Sequence, residues 1–291
     1  MATGNIFPKV TGDTIYAADY NGVVAIMTAV LGQNATGYGI VPRSSTVIVG
    51  GKIQASSWDN LRLDLDQCRL HQNNGTAGLV DENAGDKVSA TDVSAYYNAA
   101  VTSYVNKDVI DSVDVALISG VASSYAVAWK ASISQVVTVS FATSTTMSNF
   151  FNAGGNIRVG ASSTGATTAS KDANWNSLIT GLGLHYYTAA NYRAGGNISI
   201  KGPVYGTGNY SANYYRAWVE ASATSLKVTT LFNDASVQTQ SGGVPGAPAA
   251  GSIYDENVTL GITSSVDYYK SLNNVVAPIP TDIVLTKTLS P

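Results

Sequence analysis

The sequence predicts an α+β protein: a helical N-terminal module over residues 1–118, followed by a mainly antiparallel β-sandwich domain over residues 119–291. Three observations point there. Apolar residues recur at helical spacing before about Gly120 and at alternate positions after it, the two periods that distinguish a helix face from a strand face. Charge divides at the same place. Residues 1–118 hold 7 basic and 12 acidic side chains, a net of −5, and residues 119–291 hold 9 basic and 7 acidic, a net of +2. Gly, Asn and Ser turn signals then separate short runs throughout the second half, the pattern of a sandwich. At 291 residues the chain accommodates one large or two medium domains, each with a real core.

The first helix is predicted from about Asp19 to Leu31, because Val23, Met27, Val30 and Leu31 share one face; Asp19 reads as its N-cap and Gly32 as its stop. Thr46–Val49 and Lys52–Gln54 read as short strands around Gly50-Gly51. A second helix runs from Ser57 to about His71, with Trp58, Leu61, Leu65 and Cys68 on one side. A third runs from about Thr91 to Lys107, with Val93, Tyr97, Ala100, Val101 and Tyr104 as its stripe. Strands are predicted at 125–132, 137–141, 157–159, 198–200, 214–223, 226–232, 258–266 and 283–289. One helix interrupts them at about 172–182, where Trp175, Leu178, Ile179 and Leu182 align. The stretch Ser241–Gly251 is rich in Gly, Pro and Ala and reads as a long loop. The run Ala-Gly-Gly-Asn-Ile occurs at 153–157 and again at 194–198, a repeated turn in which Gly supplies a positive φ.

Only 12% of the residues are charged, about half of the roughly 25% usual for a soluble domain. A net charge of −3 and the absence of a basic stripe argue against a nucleic-acid partner. No apolar run is long enough for a membrane-spanning helix, and the N-terminus lacks the pattern of a secretory signal; synthesis in a cytoplasm is the expectation. The single cysteine, Cys68, excludes a disulfide framework and a four-cysteine zinc site. His71 and His185 are the only imidazoles. His71 reads as a helix-end cation favoured by the dipole, and His185 as a hydrogen-bonded strand residue. The carboxylate pairs Asp64/Asp66, Asp81/Glu82 and Asp255/Glu256 lack the context of a hydrolytic pair; the last reads as a solvated turn or, less favoured, a Ca²⁺ site. Gly32–Gly37 and Gly160–Gly165 have phosphate-loop glycine spacing without the lysine. The expectation is therefore no catalytic residue, no metal and no cofactor.

Tyrosine stands out instead. Seven of 17 fall within thirty residues: Tyr186, Tyr187, Tyr192, Tyr205, Tyr210, Tyr214 and Tyr215. Tyr offers large contact area, few rotors and a polar tip, so the segment suits a protein interface or a glycan-binding surface. Internal sheet packing is the competing reading.

Several short segments also occur in a recognisable order. They are Asp13–Asn21, Val30-Leu31-Gly32, Gly37-Tyr38-Gly39, Val47-Ile48-Val49, Ile53, Trp58-Asp59-Asn60-Leu61 and His71-Gln72. Phe150–Arg158, Asp172–Trp175 and Asp255–Val258 follow. This order resembles virion structural proteins of tailed bacteriophages, notably those of cyanophages and related marine phages. The resemblance implies a non-enzymatic component of a tail or neck fibre or appendage, located in the virion. Its expected partners are copies of itself, with a trimer favoured, and neighbouring virion proteins. A capsid decoration protein is the alternative. A carbohydrate-binding adhesin that meets a host-surface glycan through the tyrosine segment is a further one, and a depolymerase ranks last.

Overall fold

The computed structural model describes residues 8–83, 85–165, 170–235, 238–239, 253–254 and 257–290. The fold is α+β, with a helical N-terminal part and a β-sandwich. Internal contacts group the chain into two compact units. One comprises residues 1–117, 143–156 and 269–279; the other comprises 118–142, 157–268 and 280–291. A single cut near residue 118 therefore does not describe them, because two later segments belong with the helices.

The first unit is built on α1 (Ala17–Leu31), α2 (Ala55–Asn73) and α3 (Ala90–Val105). Asp19 sits at the third helical position of α1, not at its cap, and accepts a hydrogen bond from the Tyr16 backbone N–H at 2.8 Å. Its other oxygen meets the buried Lys9 ammonium at 3.1 Å. At α3, Ser89 and Asp92 form a reciprocal capping box. The three helices meet through one aromatic chain. Tyr20 of α1 lies edge-on to Trp58 of α2, with ring centroids 5.0 Å apart, and Trp58 lies 4.9 Å from Tyr96 of α3. Offset and edge contacts of this kind add to the area that the rings bury.

Polar groups inside this unit hold its loops. The Asp64 carboxylate, fully buried, accepts from the backbone N–H groups of Arg43 and Ser44 and from the Ser44 hydroxyl, at 2.9, 2.8 and 2.7 Å. Asp66 instead pairs with Arg62 at 2.9 Å, so the two carboxylates have separate work. His71 lies in the last turn of α2, as expected, but is a core residue: its ring stands edge-on to Tyr38 at 4.8 Å. Residues 46–49 and 52–54 are not strands. The Asn21 side chain satisfies both the N–H and the C=O of Val47, replacing a ladder partner, while Ile48 and Val49 project into solvent.

The second unit carries the sheets. Lying wholly or mostly in it are β1 (Val115–Tyr125), β2 (Ala131–Ser140), β3 (Asn156–Thr164), α5 (Ser170–Leu182), β4 (His185–Tyr187) and α6 (Ala189–Ala194). These are followed by β5 (Asn197–Tyr205), β6 (Tyr214–Ala221), β7 (Ser225–Asp234), β8 (Gln238–Thr239), β9 (Ile253–Tyr254), β10 (Gly261–Ser271) and β11 (Asp282–Ser290). One further helix, α4 (Ser144–Asn152), falls in the first unit. One sheet has the order β1-β10-β3-β4, and a second, antiparallel throughout, the order β11-β2-β7-β6-β5. Alternate residues of each strand face inward: Ile133, Gln135, Val137 and Val139 of β2, Val228, Thr230 and Phe232 of β7, and Ile262, Ser264 and Val266 of β10 are buried. Neutral polar groups bridge the sheets. The Gln135 amide donates to the Ser123 carbonyl at 3.2 Å, and the Thr230 and Ser264 hydroxyls share a 3.1 Å bond. Trp175 of α5 is fully buried, 5.3 Å from Trp129 and 6.2 Å from Phe232. Beside it, Lys171 and Asp234, both wholly buried, pair at 2.8 Å.

Two expectations need correction. The predicted strand at 125–132 is broken by a connection: β1 ends at Tyr125, β2 begins at Ala131, and between them Trp129 makes one isolated bridge to Val258. The β part was expected to hold one helix; residues after 119 form α4, α5 and α6. Nine and six residues are shorter than the 11–18 needed for a periodic signal. The repeated Ala-Gly-Gly-Asn-Ile is a helix-to-strand turn in both copies, after α4 and after α6. Gly154 has φ +82°, and Gly195 and Gly196 have φ +66° and +71°. The loop Ser241–Gly251 lies outside the described residues.

Truncating Asp64 to Ala strands the buried Ser44 N–H and hydroxyl and the part-buried Arg43 N–H; it is expected to destabilise the first unit by about 3 kcal/mol. Truncating Trp175 to Ala is expected to cost the second unit about 3–5 kcal/mol. Urea unfolding followed by backbone circular dichroism measures both.

Candidate functional site

The seven tyrosines do not form one surface, because strand alternation and intervening turns send them to different places. Tyr187 and Tyr215 are fully buried. Tyr215 packs on Phe232 with centroids 5.0 Å apart, and burial pushes the Tyr187 phenol up to about 12 and the Tyr215 phenol up as well. Tyr186 is exposed on the four-stranded sheet, opposite Arg158, whose guanidinium holds Asp267 at 2.7 Å. Tyr192 lies on α6, and Tyr210 lies in a 3₁₀ turn at Gly208–Tyr210; both are half-buried. Tyr205 and Tyr214 do come together, as a cross-strand pair with rings 5.8 Å apart.

That pair belongs to a continuous outer face. On β6, Tyr215, Ala217 and Val219 are buried, so Tyr214, Arg216, Trp218 and Glu220 point outward. The Arg216 guanidinium lies over the Trp218 ring, 4.3 Å from its centroid, a cation–π contact. The Trp218 indole N–H donates to Glu220 at 3.1 Å, and the Lys227 ammonium meets the other carboxylate oxygen at 3.2 Å. The indole hydrogen bond first, and Lys227 second, hold the Glu220 carboxyl below its ordinary range. Thr229, directly opposite Trp218 on β7, is buried although it shares this outer face. Asn197, Ser199, Pro203, Arg216, Ala217 and Trp218 surround a depression of about 220 Å³. Arg216, Trp218 and Glu220 were not singled out from sequence; the signal was the period-2 pattern of Tyr214–Glu220, which interleaves three buried residues with four outward ones.

Chemistry-bearing residues elsewhere do not converge. Asp81 pairs with Arg62, whose guanidinium also holds Asp59 and Asp66. Burial, followed by Asp92 and Asp86, raises the Glu82 carboxyl. Asp111 caps the 3₁₀ turn at Ser112–Asp114. Asp255 and Glu256 lie outside the described residues. Among the described residues no group of three or more His, Cys, Asp or Glu side chains is placed to hold a metal ion, and no helix is long and apolar enough to cross a membrane. No protein-family model, curated protein or solved structure matches the chain.

His185 opens β4, and its register partner on β3 is Val159. Burial, with Lys201 adding to it, lowers its imidazole below the ordinary 6.5. The folded form therefore binds this proton less readily than the unfolded chain. Stability attributable to His185 is complete above 6.5 and falls as pH drops from there toward the folded-state value. Replacing His185 with Gln is expected to flatten the pH–stability profile below pH 6.5 and to leave it unchanged above, measured by urea midpoints. NMR titration of the wild-type imidazole checks the direction of the shift.

Proposed function

We propose that this chain is a non-enzymatic structural protein of a tailed-phage virion, built into a fibre or appendage of the tail or neck. In this reading it assembles with copies of itself and with neighbouring virion proteins. The observation that carries the self-assembly is the edge strand β1. Its eleven residues, Val-Ala-Leu-Ile-Ser-Gly-Val-Ala-Ser-Ser-Tyr, contain no charge and no proline. Among the described residues it has one ladder neighbour, β10. Leu117 is 48% exposed, while Val115, Ile118 and Val121 are half-buried.

Long apolar edges recruit further strands, and sheets usually guard against this with short edges, charges, prolines or bulges. The other three edges of the two larger sheets have such features. β4 has three residues; β5 contains Lys201 and Pro203 and breaks register twice; β11 carries Asp282 and Lys287. β1 is long and carries neither charge nor proline. A two-fold antiparallel pairing of β1 with itself, centred on Gly120, sets Leu117 opposite Ser123, Ile118 opposite Ala122 and Val115 opposite Tyr125. Large residues then meet small ones in two of these pairs, and no like charges face one another.

A second reading, a carbohydrate-binding adhesin, is favoured by the outward aromatic face of β5 and β6. Aromatic rings with polar tips, held on a rigid sheet, suit a saccharide that presents both apolar and hydroxyl surfaces.

Light scattering after size-exclusion chromatography tests the assembly. The wild type is expected to be oligomeric, and the double variant Leu117→Lys, Ala122→Lys, changed at two exposed positions, to fall to monomer while keeping its circular dichroism. A monomeric wild type that never joins particles would remove the proposal. Immunogold labelling of intact particles locates the protein: label on tail or neck is expected, and label on capsid faces would replace the fibre reading with decoration.

A further inference from the structure

We infer that the outer face of β5 and β6 is a binding site for an acidic saccharide, with the Arg216 guanidinium receiving a carboxylate of the sugar. This rests on the glycan-binding reading of that face and adds the charge of its ligand. Arg43, Arg62 and Arg158 each pair with an aspartate. Arg216 is exposed, and among the described residues no carboxylate pairs with it. The acid nearest on its strand face, Glu220, is occupied by the Trp218 indole N–H and by Lys227. Arg216 is therefore a cation already stacked on an aromatic plane, with its donor edge available. A planar guanidinium in that state matches a carboxylate through two parallel hydrogen bonds.

The surroundings specify a sugar. The depression beside Arg216 measures about 220 Å³, below the roughly 300 Å³ at which pockets for drug-sized ligands begin. That size suits one ring of a longer chain. Asn197 and Ser199 border it with an amide and a hydroxyl, groups able to answer ring hydroxyls. Tyr214 lies four residues from Trp218, about 13 Å along the strand, and together with Tyr205 extends the aromatic surface beyond the depression. An acidic peptide fits less well. Peptides that join a sheet add to an edge through backbone hydrogen bonds, and the edge beside this face, β5, is interrupted through Lys201-Gly202-Pro203 with two register shifts.

The test is calorimetric titration of the full chain with a panel of uronate- and sialate-bearing oligosaccharides, each beside its neutral methyl ester, and with an oligoglutamate peptide. At least one acidic sugar is expected to bind roughly tenfold or more tightly than its ester, the factor of a charge-assisted pair. Arg216→Gln is expected to bring that ratio near one, and Trp218→Ala to abolish binding of both the acid and the ester. Equal binding of acid and ester by the wild type would overturn the inference and leave the glycan reading standing. Absence of binding to every sugar would overturn both. Oligoglutamate binding as tightly as the best sugar would overturn the assignment to a saccharide. Arg216 is exposed, so its variant is expected to keep the wild-type circular dichroism and melting temperature; a variant that loses both along with the binding preference would overturn the assigned role of Arg216.

Discussion

Inside the sandwich, the contact between Tyr215 and Phe232 is the interaction on which the character of the outer surface depends. The two rings lie 5.0 Å apart on neighbouring strands, directly opposite in register. A strand side chain faces one side of its sheet or the other, and a slip of one residue would exchange the two sets. With Tyr215, Ala217 and Val219 committed to the interior, Tyr214, Arg216, Trp218 and Glu220 have nowhere to go but outward. The reverse register would bury an arginine and a glutamate, at a cost of several kcal/mol for each unpaired ion. Core packing and desolvation thus agree on a single register, and that register assembles the aromatic and cationic face.

The scarcity of charge acts together with this constraint. Several of the few ionic groups are buried and paired, as in Lys9 with Asp19 and Lys171 with Asp234. Others hold backbone in place: Asp64 anchors residues 43–44, and Asp172 accepts from the Thr259 and Leu260 N–H groups. Buried hydroxyls and amides do the remaining polar work, as between Gln135 and Ser123. Strand edges such as β1 are left neutral. A neutral edge can be covered by another chain without desolvating ions.

Much of the fold was legible in the residues. The three N-terminal helices lie within two residues of their expected bounds, since each has enough turns to show a 3.6-residue period. Strands β6, β7 and β11 were likewise marked by alternation. The failures have definite causes. β1 passes through Ile-Ser-Gly-Val-Ala-Ser-Ser, whose small residues blur alternation, and among its side chains with a described environment only Ser123 is buried. Thr46–Val49 has β propensity, but the Asn21 side chain competes for its backbone, a long-range effect invisible locally. The tyrosine segment ends at Tyr215, so Arg216 and Trp218, which follow it on β6, were not among its residues. Composition could not say that Tyr187 and Tyr215 are interior.

By itself, the sequence determined the class of each half, the low charge, and the pairing of an inward with an outward set along β6, because periodicity and composition are local properties. Tertiary structure decided which set faces the core, which strands lie at sheet edges, and which distant segments join the helical unit. Those outcomes depend on partners far apart in the chain: Tyr215 with Phe232, Asn197 with Glu220, residues 269–279 with the N-terminal helices. No local pattern encodes such a partnership; it is settled by the burial and hydrogen bonding of the whole chain at once.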